Sequence, residues 1–271
     1  REYFPPIRNA WDELGCVSEQ VAEQTGLSTT CKLYAGIHDS NASLLRYLPT
    51  DNNSNQTLNV ISSGTWTIIM QTNRPVDNLK AARDTLANVD VLGRPVSCAR
   101  FMGGREYETI CQLLGGDIGM GAEAAAIQQA IDERWMVTPD FSQGNGPFGH
   151  AQPALLCPDK PPSPQAIATL YCALMIDQRL NDLNASGPVY IEGAFLKNPV
   201  LCQLVAQHRP HQTVMLSSDN TGTVMGAAAL MNFSNRQQQI TDLVPCAPAT
   251  FSQLTQYKAQ WYQAIATQAA Q

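Results

Sequence analysis

The last third of the chain alternates helix and strand in a way that leaves few folds open. Ile167, Leu170, Leu174, Leu180 and Leu183 recur at helical spacing, so the sequence predicts one long helix over Gln165–Leu183. Asn184-Ala185-Ser186-Gly187-Pro188 ends it. Val189-Tyr190-Ile191-Glu192 reads as a strand running into Gly193. Asn198-Pro199 then supplies an N-cap followed by proline at the first helical position, opening a helix through Gln207. A strand over Thr213–Leu216 and a small-residue helix over Thr221–Met231 complete the pattern. Strands that alternate with helices imply a layered α/β domain.

The first third is shorter in its periods. Ser18 caps a helix that Gly26 closes, and Lys32-Leu33-Tyr34-Ala35 reads as a strand ending at Gly36. His38-Asp39-Ser40-Asn41 precedes an apolar helical stretch, Ala42–Leu48, which puts Asp39 near a strand-to-helix junction, where α/β proteins place their chemistry. Residues 49–56 are polar and without hydrophobic period, a candidate hinge or domain boundary. Two β-prone runs, Thr57–Ile61 and Trp66–Met70, flank Ser62-Ser63-Gly64-Thr65 and predict a hairpin. Between 71 and 160 the signal is weaker. Helices are expected over Glu106–Leu114, after Gly103-Gly104, and over Ala122–Ile131. Loops with short strands are expected over 138–164.

Charge narrows the partners. A formal charge of -6 with singly scattered Lys and Arg argues against a nucleic-acid footprint. An acidic chain can still hold a polyanion through backbone N–H groups. The eight cysteines include no CxxC spacing, which fits reduced core thiols. No apolar run approaches the ~18 residues of a membrane span, and the N-terminus has no signal-peptide pattern, so a cytoplasmic location without membrane association is expected. The first residue is Arg rather than Met.

Five stretches can carry chemistry, and each has an ordinary structural reading. Ser62-Ser63-Gly64-Thr65 is a turn in which backbone N–H groups and hydroxyls can approach phosphate oxygens, yet Ser-Gly turns also close plain hairpins. Glu192-Gly193-Ala194-Phe195-Leu196-Lys197-Asn198-Pro199 opens space after a strand for a ring or a phosphate, or is a plain βα loop. The small residues from Thr221 to Ala229 read, alone, as a packing face. Asp39, alone, reads as a helix cap, and His38 as a structural histidine. Gly103-Gly104 either approaches a ribose or phosphate or only makes a turn.

Taken in order, the segments GIHDS (36–40), SSGTW (62–66), EGAFLKNP (192–199) and DNTGTVMGAAAL (219–230) resemble the FGGY family of carbohydrate kinases, over most of the chain from Phe4 to about Met231. The resemblance implies an α/β, actin–hexokinase-like fold of two ribonuclease-H-like domains with ATP and sugar between them. Residues 1–50 would be the tail of the sugar-binding domain and 51–271 the ATP-binding domain, with the polar linker near the hinge. Asp39 matches the family's catalytic base, with His38 and Ser40 beside it at the substrate. Ser62, Ser63, Gly64 and Thr65 match the second phosphate-binding turn. Gly193, Ala194 and Asn198 match the adenosine loop, and Gly103 and Gly104 line the nucleotide cleft. No Asp-x-Gly-Thr phosphate turn precedes Arg1, so the chain resembles the C-terminal portion of such a kinase. Phe195, where the family's adenosine loop is glycine-rich, is expected to narrow or stack on the adenine site.

The resemblance therefore implies ATP and Mg²⁺ as cofactors, with no metal ligand among the site residues named. It also implies a small sugar or polyol as substrate, leaning to rhamnulose- and fuculose-type sugars, and a homodimer as one assembly. Asp39 would take the proton of the attacking hydroxyl. A non-catalytic nucleotide-binding relative, or a hydrolase of ATP or polyphosphate, would carry the same motifs.

Overall fold

The computed structural model describes residues 3, 5–49, 55–119, 121–149, 151–217, 222–235 and 243–269. In chain order the elements are β1 (Glu13–Cys16), α1 (Glu19–Thr25), β2 (Lys32–Tyr34), α2 (Asp39–Tyr47), β3 (Asn59–Ser63), β4 (Thr67–Thr72), β5 (Thr85–Val89) and β6 (Pro95–Phe101). There follow α3 (Gly103–Leu113), α4 (Ala124–Asp132), β7 (Met136–Thr138), β8 (Ala154–Leu156), α5 (Pro164–Asp182), β9 (Val189–Gly193) and α6 (Pro199–His208). The chain closes with β10 (Val214–Ser217), α7 (Gly222–Ala228), β11 (Leu243–Pro245) and α8 (Leu254–Ala269). They form two compact units: Arg1–Ser54 with Val89–Arg94 and Thr221–Thr241, and Asn55–Asn88 with Pro95–Asn220 and Asp242–Gln271. Of the expected polar linker, 50–54 lie outside the described residues, as do Thr221 of the expected last helix and 219–220 of the segment before it.

In the first unit, β1 and β2 pair antiparallel. Ser18 caps α1 by accepting from Val21 N–H, and Gly26 ends it in the left-handed conformation at φ 76°. Helix α2 is buried from Ala42 to Tyr47. Helix α7 crosses it so closely that a Cβ on Gly226 would overlap the Ala42 carbonyl, which is why that position is glycine. Trp11 stacks on Phe233 with centroids 4.1 Å apart.

The second unit is built on a seven-stranded mixed sheet of order β11-β10-β9-β3-β4-β6-β5. Strands β3, β9 and β10 run parallel, whereas β4, β6 and β11 pair antiparallel with their neighbours. Helix α5 is buried on nearly all sides from Ala166 through Leu180, because α3, α4 and α6 also pack on it. A carboxylate near its C-terminal end, Asp177, is 1% exposed, forms an ion pair with Arg209, the residue after α6, at 2.9 Å, and accepts from Lys258 of α8. This clamp lets a buried charge persist by pairing it. Trp261 of α8 is fully buried and donates from Nε1 to the Val137 carbonyl at 2.8 Å. Among the described residues no helix is long and apolar enough to cross a membrane.

The expected hairpin, the long α5, the strand into Gly193 and the Asn198–Pro199 helix start are all present. Some boundaries are corrected: α2 starts at Asp39 rather than Ala42, and Ser62 and Ser63 end β3 rather than forming the turn. Helix α3 starts at Gly103, not Glu106, so both glycines lie in its first turn. Strands β1, β5, β6 and β11 and helix α8 lie where the sequence carried no expectation.

Candidate functional site

The β3–β4 turn is the point on which three segments converge. Its last ladder pair is Ser63 with Thr67, and Gly64 N–H donates to the Trp66 carbonyl at 2.8 Å. On one side Ser63 lies in parallel register with Gly193 of β9. There its hydroxyl donates to the Glu192 carbonyl at 2.5 Å and accepts from Phe195 N–H at 2.9 Å. Both capacities of that hydroxyl are thus used within the protein. Gly193 sits at φ 85°, and a Cβ there would overlap the Ser63 carbonyl, so glycine is required twice over.

On the other side stands the N-terminus of α3. A Cβ on Gly104 would overlap the Gly64 carbonyl, and Arg105 N–H points to the Thr65 carbonyl at 3.5 Å. A Cβ on Gly103 would overlap Thr67 Oγ1 and lie 2.8 Å from Phe195 Cζ. Thr67 Oγ1 is buried with no hydrogen-bond partner. Gly64 differs from these neighbours. Its φ is outside the left-handed region, and the only atom near an added Cβ is the Trp66 carbonyl at 3.8 Å. Packing does not demand glycine there. Thr65 is exposed, and Ser62 and Gly64 are half-buried.

The turn is anchored from behind. Arg100 lies over the Trp66 ring at 4.9 Å and directs Nε to both carboxylate oxygens of Asp84, at 3.2 and 3.1 Å. Asp84 also accepts from Gly146 N–H at 3.1 Å. The β9–α6 loop is held just as firmly. Asn198 caps α6 by accepting from Leu201 N–H at 3.2 Å and donates to Thr169 Oγ1 at 2.8 Å. Ala194 is exposed at the head of a short 3-10 turn, Ala194–Lys197. Phe195, expected to narrow or stack on the adenine site, is 5% exposed, with its ring against Gly103 in the core.

Beneath the start of α3 lies a buried acid that sequence reasoning left without a role. Glu106 Oε1 accepts from Met102 N–H at 3.1 Å, and Oε2 accepts from the Tyr171 hydroxyl of α5. Burial pushes this carboxyl up to about 7, and Asp140 beside it adds to the rise. An acid one turn into a helix reads from sequence as a capping residue, so only its 1% exposure marks it.

Asp39 belongs to the first unit. It is the first residue of α2, three-quarters exposed, and its Oδ1 accepts from Ser40 N–H at 2.6 Å and from the Ser40 hydroxyl at 3.2 Å. His38 Nδ1 lies 2.9 Å from the same oxygen. His38 itself holds the N-cap position without a side-chain hydrogen bond to the helix. The three residues expected at the substrate are therefore one local cluster with a solvent-facing carboxylate. Among the described residues no three His, Cys, Asp or Glu side chains are grouped to hold a metal ion. A separate polar cavity of about 530 Å³ in the second unit, lined by Asp77, Lys80, Arg83, Asn181 and Asp182 among others, shares no residue with these sites.

Comparison with known proteins converges on one family. The profile of the carbohydrate kinase FGGY C-terminal domain matches residues 55–240. A carbohydrate kinase from Novosphingobium aromaticivorans is 34% identical with a TM-score of 0.79, covering 97% of this chain and 59% of its own. A xylulose kinase from Rhodospirillum rubrum is 14% identical with a TM-score of 0.63, covering 97% of this chain and 56% of its own, a likeness of fold. The chain thus spans just under three-fifths of the length of these structures. A search of curated proteins finds no match.

Proposed function

The chain belongs to the FGGY carbohydrate kinases, and on that premise we propose that the full-length protein transfers the γ-phosphoryl group of ATP to a hydroxyl of a small ketose, related sugar or polyol. One observation carries the nucleotide half of this reading. Gly104 and Gly193 are glycines because neighbouring backbone leaves no room for a side chain, and Gly103 because the buried Thr67 and Phe195 side chains leave none, whereas Gly64, at the tip they support, has open space in front of it. A glycine that packing does not require, in a turn held rigid on both sides, suits the close approach of a phosphate to backbone N–H groups.

In this reading Ser62, Gly64 and Thr65 present donors to the phosphates. Ser63 locks the turn to β9, since its hydroxyl is already engaged on both sides. Gly103 and Gly104 bring the N-terminus of α3, with its unsatisfied N–H groups and partial positive charge, against the same turn. Gly193, Ala194 and Asn198 shape the adenosine loop, Asn198 by capping α6. Magnesium, ligated by phosphate oxygens, water and the sugar-binding domain, would offset charge on the transferring group. The eight cysteines are all unpaired, which fits a reducing compartment.

Asp39 supplies the base. Its carboxylate is exposed to a substrate hydroxyl, and Ser40 N–H and hydroxyl donate to one oxygen, which leaves the other to accept the proton. The test is a coupled ADP-release screen of the full-length protein against ketoses, deoxyketoses and polyols, repeated with Asp39→Asn. Sugar-dependent ADP release is expected, lost by about 10²-fold or more in the variant while nucleotide affinity is kept. Turnover equal to wild type in Asp39→Asn would remove Asp39 as the base. ADP release indifferent to every sugar would replace the kinase reading with a hydrolase.

A further inference from the structure

Glu106 is buried, charged in principle, and unused by the reaction as described. It stands one turn into α3, directly below the two glycines that meet the 62–65 turn. One carboxyl oxygen accepts from the backbone N–H of Met102, the residue before the helix, and the other accepts from Tyr171 in the middle of α5. The carboxyl group thus ties the first turn of α3 to the most deeply buried helix of the unit. A second carboxylate, Asp140, closes the far side. It accepts from Ser142 N–H at 2.5 Å and from the Ser142 hydroxyl at 2.6 Å, and from Gly144 N–H. The loop that carries it also places Asn145 Nδ2 3.9 Å from Met102 Sδ.

We propose that Glu106 is a positioning residue for nucleotide binding, holding the Gly103–Gly104 face of α3 at its contact distance from the 62–65 turn. The proposal rests on the reading of that turn as a phosphate cradle. The physical reason is the small tolerance at the contact. With a Gly104 Cβ already excluded by the Gly64 carbonyl, α3 cannot move inward, and the tie through Glu106 to α5 opposes outward movement of its first turn. Outward movement would take two N–H groups and the helix dipole away from the anion.

Protonation sets how well the tie holds. The groups acting on Glu106 are Tyr171 of α5 and Asp140 and Ser142 of the loop, and Glu106 in turn acts on Cys172 of α5. Burial and Asp140 both favour the proton-bearing form of Glu106, so below about pH 7 the closed arrangement is uncharged at this residue. In solvent the carboxyl would lose its proton in its ordinary range near ~4.3, so between that range and about 7 opening releases a proton that closure holds. Closure therefore weakens with rising pH in this window. Glu106→Gln keeps an acceptor for Met102 N–H and a partner for the Tyr171 hydroxyl but cannot ionise.

The experiment compares wild type, Glu106→Gln, Glu106→Ala and Tyr171→Phe in the full-length protein. It measures ADP affinity at pH 6 and pH 8, KM and kcat for ATP and sugar, and hydrogen exchange over 61–67 and 101–108. Loss of the buried tie should weaken ADP binding about 10-fold in Glu106→Ala and raise KM for ATP with little change in KM for sugar. The affinity of Glu106→Gln relative to wild type should rise by up to about 10-fold from pH 6 to pH 8, a ratio in which the ligand's own titration cancels. Tyr171→Phe should fall between. Faster exchange at 103–105 is expected in Glu106→Ala and not in Glu106→Gln. ADP affinity unchanged in Glu106→Ala, or a Gln variant as impaired as the Ala variant, would overturn the proposal. If wild type binds no nucleotide, the cradle reading fails, and the exchange data still decide whether Glu106 positions α3.

Discussion

Replacing Gly104 by Ala sets two physical effects against each other, and the structure decides the sign. In an exposed helix the change would stabilise by up to about 1 kcal/mol, because Ala is the better helix former. Here the new Cβ would overlap the Gly64 carbonyl oxygen, lie 3.0 Å from the Gly64 carbonyl carbon and 3.3 Å from Thr65 Cα. These are backbone atoms in a turn clamped by Ser63 and by Trp66 on Arg100, so they cannot swing aside as a side-chain end would. Relief requires α3 and the turn to separate by roughly 1 Å, and overpacking of this kind costs about 1–3 kcal/mol. The net expectation is a destabilisation of about 1 kcal/mol. The functional effect is larger, since a 1 Å misplacement of binding groups costs on the order of 10²-fold. Urea denaturation gives the first quantity and calorimetric titration with ADP the second. Gly64→Ala is the control. With open space and an ordinary φ it should leave stability within about 0.5 kcal/mol of wild type while still weakening ADP binding. A Gly104→Ala protein that is more stable and binds ADP normally would refute the close-approach argument.

Two further outcomes follow from single groups. Ser63→Ala removes one hydroxyl and leaves the Glu192 carbonyl and Phe195 N–H without that partner, so it should cost about 1–3 kcal/mol by denaturant titration, whereas Ser62→Ala should cost much less. His208 is held near 4 by burial, with Lys258 and Arg209 adding to the effect against an opposing Asp177. Its folded value lies below its unfolded one, so stability is full above pH ~6.5 and falls toward 4, by about 2 kcal/mol at pH 5. Denaturation of wild type and His208→Gln from pH 7.5 to 5 checks this, and parallel curves would contradict it.

What the sequence made legible was local. Ser18 and Gly26 around α1, and Asn198-Pro199 before α6, are caps whose chemistry acts within a few residues, and each occupies the expected place. The apolar period of α5 is long enough to leave no alternative. Helix α8 went unseen because its buried stripe is only Leu254, Tyr257 and Trp261 among Gln, Ala and Thr. Strand β6 carries Ser97 and Arg100 within its apolar run, and β5 is a short edge strand, so neither shows a clean alternation.

At the site, residue type was readable and division of labour was not. Ser62 and Ser63 are the same residue type, and only the pleat and the parallel neighbour β9 decide that Ser63 is engaged inward. The two glycines of Gly103-Gly104 were legible as a close approach, but the partner of Gly104, the Gly64 carbonyl, is forty residues away in sequence, and Gly103 meets Thr67 and Phe195. Phe195 looked like a ring for a ring. Its burial against Gly103 depends on the geometry of the 3-10 turn, which sequence does not display.

The most direct test of the account is the backbone amide spectrum of the protein titrated with Mg·ADP. The largest shifts are expected on Ser62, Ser63, Gly64 and Thr65 and on Gly103 and Gly104, with smaller ones at Gly193 and Ala194 and none near Trp261. Shifts that bypass the 62–65 turn and collect instead around Lys80, Arg83 and Asp182, where the separate polar cavity lies, would contradict it.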